Sequence, residues 1–240
     1  MSRLIDTHFH LDHYRNHAML FKRINDLKQY TLCMTNNPGV FLSCKSMYLE
    51  TKYIKFALGV HPFEINNSSI KEFEYCIEKT EYIGEVGLDF SKSYERTKQL
   101  QIEVFSEIIK MGVKQNKLIS VHSRKSENVL IDILQKYQPN KCIIHWFNGT
   151  KEQLNELIKL GCYFSINSNM VCANKDCTYL QNIPKNKILI ESDGPYTKVQ
   201  CKKYTPEMLK DVYDIVGKSL EIEELESVIF NNFNTILAVV

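Results

Sequence analysis

The chain has 240 residues, with 30 Lys and Arg, 28 Asp and Glu, and a formal net charge of +2. Hydrophobic residues make up 44% of the chain and charged residues 24%, which is typical of a globular protein and excludes a disordered or fibrous one. A charge so close to neutral also excludes a polybasic arm, so any binding of nucleic acid must depend on a local surface.

The sequence contains no recognisable targeting or membrane segment. The N-terminal residues lack the apolar run of ~7–15 residues that a secretory signal needs, and nowhere do ~18 apolar residues follow one another. The eight cysteines are scattered and form no Cys-x-x-Cys pair. Cys172 and Cys177 are near enough in sequence to hold a metal or form a redox pair, but reduced, buried thiols are the favoured interpretation. We therefore expect a cytoplasmic protein without membrane contact.

Eight short, nearly continuous apolar runs predict strands that are buried on both faces, as in a parallel sheet. They cover residues 4–8, 30–35, 54–60, 82–86, 118–122, 142–146, 162–166 and 188–190.

Helical patterns fill the segments between these strands. Apolar residues recur every three or four positions at Leu100, Val104 and Ile108. The sequences at 69–72 and 150–153 predict capping boxes, Thr205-Pro206 predicts a helix start, and a last helix is expected over 222–237.

One strand and one helix in every ~30 residues predict a single domain over residues 1–240, folded as a (β/α)₈ TIM barrel. The alternative is an open doubly wound sheet, which needs a glycine-rich turn after its first strand. The first strand here ends instead in His8-Phe9-His10, so the barrel is favoured.

Polar side chains lie at the ends of several predicted strands. Because the carboxyl ends of all barrel strands open onto one face, we expect these side chains to converge. They are His8, His10, His61, Glu85, His122, His145 and Asp193.

Imidazoles and carboxylates are the ligands that divalent ions such as Zn²⁺ and Mn²⁺ accept. His8 and His10 are two residues apart, so in an extended strand they point the same way. Seven groups are too many for one tetrahedral ion, and we predict two ions with Glu85 bridging them. Two ions ~3.5–4 Å apart can clamp a phosphoryl group and activate water.

Residues outside this set receive lesser roles. We expect His13 and His17 to be surface or capping residues, and Asp6 and Asp12 to support the ligands or cap the backbone.

The sequence resembles the TatD-like metal-dependent deoxyribonucleases of the amidohydrolase superfamily. The matching segments run in the family's order from residue 5 to residue 195. They are Asp-Thr-His8-Phe-His10-Leu-Asp, Leu-Gly-Val-His61-Pro, Ile-Gly-Glu85-Val-Gly-Leu-Asp, Val-His122-Ser-Arg124, Ile-His145-Trp-Phe-Asn-Gly and Glu-Ser-Asp193-Gly-Pro.

The resemblance implies two divalent metal ions (Zn, Mg or Mn) and a role for each matching residue. Glu85 and Asp193 would be catalytic, with Asp193 as the base that takes the proton of water. His61 and Arg124 would contact the phosphate, for which a guanidinium is suited. The implied metal ligands are His8, His10, Glu85, His122, His145 and Asp193.

The implied substrate is DNA, as a single strand or strand end rather than a long duplex. The sequence departs from the family at Phe63, often a histidine, at Trp146-Phe147-Asn148-Gly149, where Phe-Ser-Gly is usual, and at Ser192, usually Thr. None of these changes removes a ligand. Trp146, Phe147 and Tyr196 follow strand ends, where they either wall the barrel mouth or stack on a base.

A narrower resemblance is to the TatD-like nuclease component of the bacterial Qat anti-phage defence system. It rests on segments such as Met34-Thr-Asn-Asn-Pro-Gly-Val-Phe41 and Gly-Cys-Tyr-Phe-Ser-Ile-Asn. It implies a role in phage defence beside an ATPase and a QueC-like protein.

Two alternatives remain open. The first is an amidohydrolase-type enzyme that cleaves C–N bonds in a small cyclic substrate, but such enzymes commonly bridge paired metals with a carbamylated lysine, and here the fourth strand ends in Glu85. The second is a non-catalytic, metal-bearing scaffold subunit of a defence complex.

Overall fold

The computed structural model describes residues 4–172 and 178–239. Within these residues nine parallel strands alternate with helices, except that the fourth strand follows the third directly, and a small antiparallel hairpin follows the last of them. The parallel strands are β1 (Ile5–Phe9), β2 (Tyr30–Cys33), β3 (Ile54–Phe56), β4 (Leu58–Val60), β5 (Tyr82–Asp89), β6 (Leu118–Arg124), β7 (Cys142–His145), β8 (Tyr163–Ile166) and β9 (Ile188–Ile190), and the hairpin pairs β10 (Lys198–Val199) with β11 (Lys202–Lys203).

The helices surround the strands and cover their outer faces. On α4 one stripe of side chains, including Val104 and Ile108, is buried against the strands, as its apolar spacing predicts. The helices are α1 (His17–Leu27), α2 (Pro38–Met47), α3 (Ser69–Cys76), α4 (Lys98–Lys114), α5 (Glu127–Tyr137), α6 (Lys151–Lys159), α7 (Ser168–Cys172), α8 (Leu209–Leu220) and α9 (Leu225–Ala238).

The strands form a closed ring. Strands β1 to β3 pair in order, and so do β4 to β9. The ring closes between β9 and β1, where Thr7 Oγ1 donates to the carbonyl of Ile190 (3.0 Å) and the amide of Asp193 donates to the carbonyl of His8 (2.8 Å). The predicted single-domain TIM-barrel architecture is confirmed.

The predicted third strand over 54–60 was wrong in one respect, because the structure divides it at Ala57. Its first half, β3, pairs with β2, whereas its second half, β4, pairs with β5. The amide of Ala57 still donates to the carbonyl of Cys33 (2.9 Å), so β3 and β4 together fill one position in the ring.

Two glycines permit close contacts between neighbouring strands. A Cβ atom on Gly59 would lie 1.6 Å from the carbonyl oxygen of Thr35, and one on Gly87 would lie 2.0 Å from that of His122. Gly87 also has a φ of +152°. Only glycine leaves room for the backbone of the next strand at these positions.

The helix ends agree with the sequence in part. Thr150 and Gln153 form the predicted capping box, and Thr205 is the cap residue before Pro206. The capping box predicted at 69–72 was wrong. Ser69 is already the first helical residue, and its hydroxyl accepts from the amide of Asn66 (3.0 Å).

The last helix begins at Leu225 rather than at residue 222, because residues 221–224 form the turn that separates it from α8. None of the described helices is long and apolar enough to cross a membrane. Six cysteines are free, and five of these are buried. The proposed pair of Cys172 and Cys177 lies outside the side chains that the structure describes.

Candidate metal centre

The carboxyl ends of the strands bring all seven predicted polar side chains to one mouth of the barrel. His8 lies in β1, Glu85 in β5, His122 in β6, and His145 is the last residue of β7. His10, His61 and Asp193 follow β1, β4 and β9. Except for His122, which is partly exposed, these residues are buried. Groups so far apart in sequence therefore meet in one site.

Three of these side chains surround a single point, and a fourth lies beside them. The Nε2 atoms of His8 and His10 are 3.2 Å apart, and they lie 3.4 and 3.3 Å from Oε2 of Glu85. Oδ1 of Asp193 lies 3.9 Å from the same atom of His8 and 3.5 Å from that of His10. All of these atoms can donate an electron pair to a cation.

The spacing of the His8, His10 and Glu85 atoms fits a divalent ion. An ion with tetrahedral bonds of ~2.0–2.1 Å holds its ligand atoms about 3.3–3.4 Å apart. The three separations among these atoms, 3.2–3.4 Å, lie close to that value. Two imidazole nitrogens and two carboxylate oxygens also match the ligand types of zinc and manganese sites.

The second oxygen of Glu85 faces a different set of imidazoles. Its Oε1 lies 2.8 Å from Nδ1 of His122, 3.5 Å from Nε2 of His61 and 3.6 Å from Nε2 of His145. One carboxylate therefore stands between two groups of histidines. This is the arrangement that a bridging ligand of two ions requires.

A backbone hydrogen bond determines which ring nitrogen of His61 carries the proton when the ring is neutral. Its Nδ1 accepts a hydrogen bond from the backbone amide of Phe63 (3.2 Å), so a neutral ring carries its proton on Nε2. An Nε2 that carries a proton cannot bind a cation, but it can donate a hydrogen bond into the site. This favours a substrate contact over a metal ligand for His61.

His145 is oriented by a carboxylate that the sequence analysis missed. Oε2 of Glu191, a fully buried residue, lies 2.8 Å from Nδ1 of His145. A carboxylate only accepts, so in the neutral ring of His145 it keeps the proton on Nδ1 and leaves Nε2 with a free electron pair toward Glu85. Ser165 and Asn167 donate further hydrogen bonds to Glu191. Its position two residues before Asp193 was the only available signal.

The ligand strands are held by further buried polar groups. The Oγ atom of Ser120 lies 3.1 Å from Nδ1 of His8. Oδ1 of Asp6 accepts from the backbone amides of His8 (3.2 Å) and Ser192 (2.9 Å), which ties β1 to the segment after β9. Burial raises the pKa of Asp6 to about 7. Asp6 therefore supports the backbone of the ligands rather than a ligand ring.

The protonation of each residue in the site depends strongly on the charges of its neighbours. Burial acts to raise the pKa of Glu85, but the surrounding histidines, led by His61 and His8, hold it well below its usual range. Burial acts to lower the pKa of His10, yet hydrogen bonds to Asp193 and Glu85 raise it to about 10. The carboxylates thus favour positive charge at the centre, which is the condition for binding a cation.

The pKa values of His8 and His145 are shifted in opposite directions. Burial, followed by the nearby charge of His145, lowers the pKa of His8. Burial also acts to lower the pKa of His145, but Glu191 outweighs it and raises the value to about 9. The two rings stack with their centres 3.7 Å apart, so His8 gives up its proton more readily than His145 does.

A cavity of about 410 Å³ opens above these groups, within the size range of small-ligand sites. Arg124, at the end of β6, lines this cavity and is exposed. Among the residues that the structure describes, its guanidinium pairs with no carboxylate, which leaves it available to an anion. Trp146 and Tyr196 line the same cavity.

One expectation about the residues near the mouth requires correction. Phe147 was a candidate for walling the mouth or stacking on a base, but it is 1% exposed and packs edge-on against Phe164 in the core. His13, expected to be a surface or capping residue, is partly exposed, stacks on His10 (4.8 Å between ring centres) and pairs through Nδ1 with the hydroxyl of Tyr196 (2.7 Å). The direction of the chain after β7 places Phe147 in the core, and the packing after β1 places His13 against His10.

The model of the TatD related DNase family matches residues 5–238, which is nearly the whole chain. The chain belongs to this TatD family. A metal-dependent hydrolase of Buchnera aphidicola is 30% identical over 97% of this chain and 98% of its own length. The hydrolase YcfH of Escherichia coli is 29% identical over 96% of this chain and 94% of its own. A fission-yeast protein named deoxyribonuclease Tat-D is 27% identical over 74% of this chain and 63% of its own.

Solved structures agree on the fold. The TatD homologue YjjV of Escherichia coli superposes with a TM-score of 0.85 at 20% identity, over 100% of this chain and 99% of its own. A TatD-family hydrolase of Entamoeba histolytica gives a TM-score of 0.78 at 19% identity, over 98% of each chain. This TatD-family chain is thus a member of a group of metal-dependent hydrolases, with candidate metal-binding groups of His, Glu and Asp at its barrel mouth.

Proposed function

We propose that this TatD-family protein hydrolyses phosphodiester bonds in DNA with the help of two divalent metal ions. The observation that carries the proposal is the position of Glu85, whose two oxygens face two separate histidine groups within 3.6 Å. A family member that is named as a deoxyribonuclease supports the choice of substrate.

The chain offers six metal ligands in two groups that share Glu85. Bound ions would supply Lewis-acid stabilisation of the phosphoryl oxygens and lower the pKa of water. Zn, Mg and Mn all remain candidates. We assign His8, His10 and Asp193 to one group, His122 and His145 to the other, and Glu85 to both.

The other site residues bind the substrate and move protons. The carboxylate of Asp193 lines the cavity and takes the proton of the attacking water. Nε2 of His61 donates to a phosphoryl oxygen, and the guanidinium of Arg124 balances the charge that grows on the phosphate.

The chemistry of the cavity weighs against a C–N hydrolase. The group that lies between the histidines is Glu85, and no lysine is among the described residues that line the cavity. A neutral cyclic amide would also have no use for the unpaired Arg124. The six intact ligands likewise favour an enzyme over a scaffold subunit.

The biological setting remains a prediction. A single strand or strand end fits a cavity of about 410 Å³ better than a long duplex does. We propose action in anti-phage defence beside an ATPase and a QueC-like protein on the narrower sequence resemblance, and a cytoplasmic location on the sequence.

The test is hydrolysis of a single-stranded deoxyoligonucleotide with added Mg²⁺, Mn²⁺ or Zn²⁺, beside a panel of cyclic amides. Replacing both His8 and His10 by alanine should abolish cleavage, because it removes two ligands of one ion, while the circular dichroism spectrum stays unchanged. Equal cleavage by the wild type and the double variant would refute the proposal and indicate a contaminating nuclease.

A further inference from the structure

An unusual pair of aromatic rings lies at the edge of the cavity. The rings of Phe63 and Tyr94 are stacked, with centres 4.1 Å apart and planes 16° from parallel. The Phe63 residue is nevertheless 47% exposed. Phe63 therefore presents part of its ring as an accessible surface, although Tyr94 covers one face.

This accessible surface of Phe63 lies beside the candidate metal centre. Phe63 lines the same cavity as Glu85 and Arg124. The rings of His61 and His122 meet Phe63 at steep angles of 74° and 70°, with centres 4.2 and 6.3 Å away. They contact Phe63 without stacking on it. A further flat group would meet the part of the Phe63 ring that these contacts leave accessible.

Hydrogen bonds at Tyr94 and at the backbone of Phe63 fix the orientation of this pair of rings. Tyr94 belongs to a helical turn over residues 92–97, and its carbonyl accepts from Oγ1 of Thr97 (3.0 Å). The amide of Phe63 is held by Nδ1 of His61 (3.2 Å). An aromatic face held in one orientation loses little entropy when a ligand stacks on it.

We propose that Phe63, backed by Tyr94, is a stacking platform for a nucleobase that adjoins the cleaved phosphate. The inference rests on the proposed function and specifies its substrate as a strand with at least one unstacked base. His61 joins the two parts of the site, because its Nδ1 accepts from the amide of Phe63 and its Nε2 lies 3.5 Å from Glu85. Stacking of this kind accepts every base, so it confers a preference for single strands without reading sequence.

The test compares two substrates of equal length and charge. One is a single-stranded deoxyoligonucleotide, and the other is the same strand made entirely of abasic tetrahydrofuran nucleotides. A stacked base contributes about 5- to 150-fold in binding or kcat/KM, so the wild type should favour the base-bearing strand by such a factor.

Three variants locate the effect. Phe63→Leu keeps an apolar side chain but removes the ring, so it should lower kcat/KM on the base-bearing strand by about 5- to 150-fold and leave the abasic strand unchanged. Phe63→Trp should restore the preference. Tyr75→Leu is the matched control, because Tyr75 is a 72% exposed aromatic outside the cavity, and it should change neither substrate.

A second measurement works without turnover. A strand containing 2-aminopurine loses fluorescence when that base stacks on an aromatic ring, and it can be titrated with protein in excess EDTA. We expect quenching by the wild type and Phe63→Trp but not by Phe63→Leu.

The outcomes separate the two proposals. Quenching without cleavage in any metal would overturn the proposed function and keep the platform. Cleavage with equal losses on both strands in Phe63→Leu, or no quenching by the wild type, would overturn the platform and leave the nuclease proposal standing.

Discussion

Replacing Glu191 with glutamine should weaken metal binding, although we assign Glu191 to a hydrogen bond with His145 rather than to an ion. In the wild type, Oε2 of Glu191 accepts from His145 Nδ1 (2.8 Å) and from Ser165, and Oε1 accepts from Asn167 Nδ2 (2.8 Å). A glutamine has one oxygen for these three donors. If its oxygen stays with Asn167, its NH₂ group faces Nδ1 of His145, and two donors meet.

The opposite orientation of the glutamine is no better. Its NH₂ group would then face the NH₂ group of Asn167, which cannot turn over because its Oδ1 accepts from the amide of Met170 (3.1 Å). The arrangement of lowest free energy is the one in which the proton of His145 moves from Nδ1 to Nε2. That proton occupies the nitrogen we assign to the metal.

The expected cost is a 10- to 100-fold fall in metal affinity, or about 1.4–2.8 kcal/mol, as for other residues that orient a metal-binding histidine. Competition with a chromophoric chelator measures it directly. Glu127→Gln is the matched control, because Glu127 is also a buried glutamate but lies in the first turn of α5. An unchanged affinity in Glu191→Gln, with the protein folded, would refute this account of His145.

Three further predictions concern stability. Tyr213→Phe removes the hydroxyl that bonds both the amide and the carbonyl of Ile5 (2.9 Å each), so urea denaturation should show a loss of about 1–3 kcal/mol, and an unchanged midpoint would contradict it. Gly59→Ala should cost about 3 kcal/mol or more, because its Cβ would overlap the carbonyl of Thr35, and a normally soluble variant of wild-type stability would show that this contact relaxes. Adding Zn²⁺ or Mn²⁺ at ~100 times its Kd should stabilise the protein by about 2.7 kcal/mol over the EDTA-treated form, and coincident melting curves would exclude a specific ion site.

The sequence predicted a site residue correctly where its residue type and its position at the end of a strand were enough to identify it. His8, Glu85 and Asp193 lie where the alternation of strands and helices places them, because every barrel strand ends at the same face. The division of the third strand at Ala57 was missed, since its apolar run continues through the change of partner from β2 to β5.

Side-chain direction was the least predictable property of the site. Trp146 and Phe147 are adjacent aromatics after the same strand, yet Trp146 lines the cavity and Phe147 is buried. Trp146 has a positive φ of 40°, and this local turn decides which ring faces the core. No pattern of residue types encodes that choice.

The sequence by itself determined the fold class and the set of residues that converge at the barrel mouth, because strand order and strand ends follow from local patterns. Only the tertiary structure decided the partners of those residues. Glu191 meets His145 across 46 positions, and Phe63 stacks on Tyr94 across a strand and a helix. Such pairs depend on how separate elements pack, and packing is a property of the whole barrel rather than of any one segment.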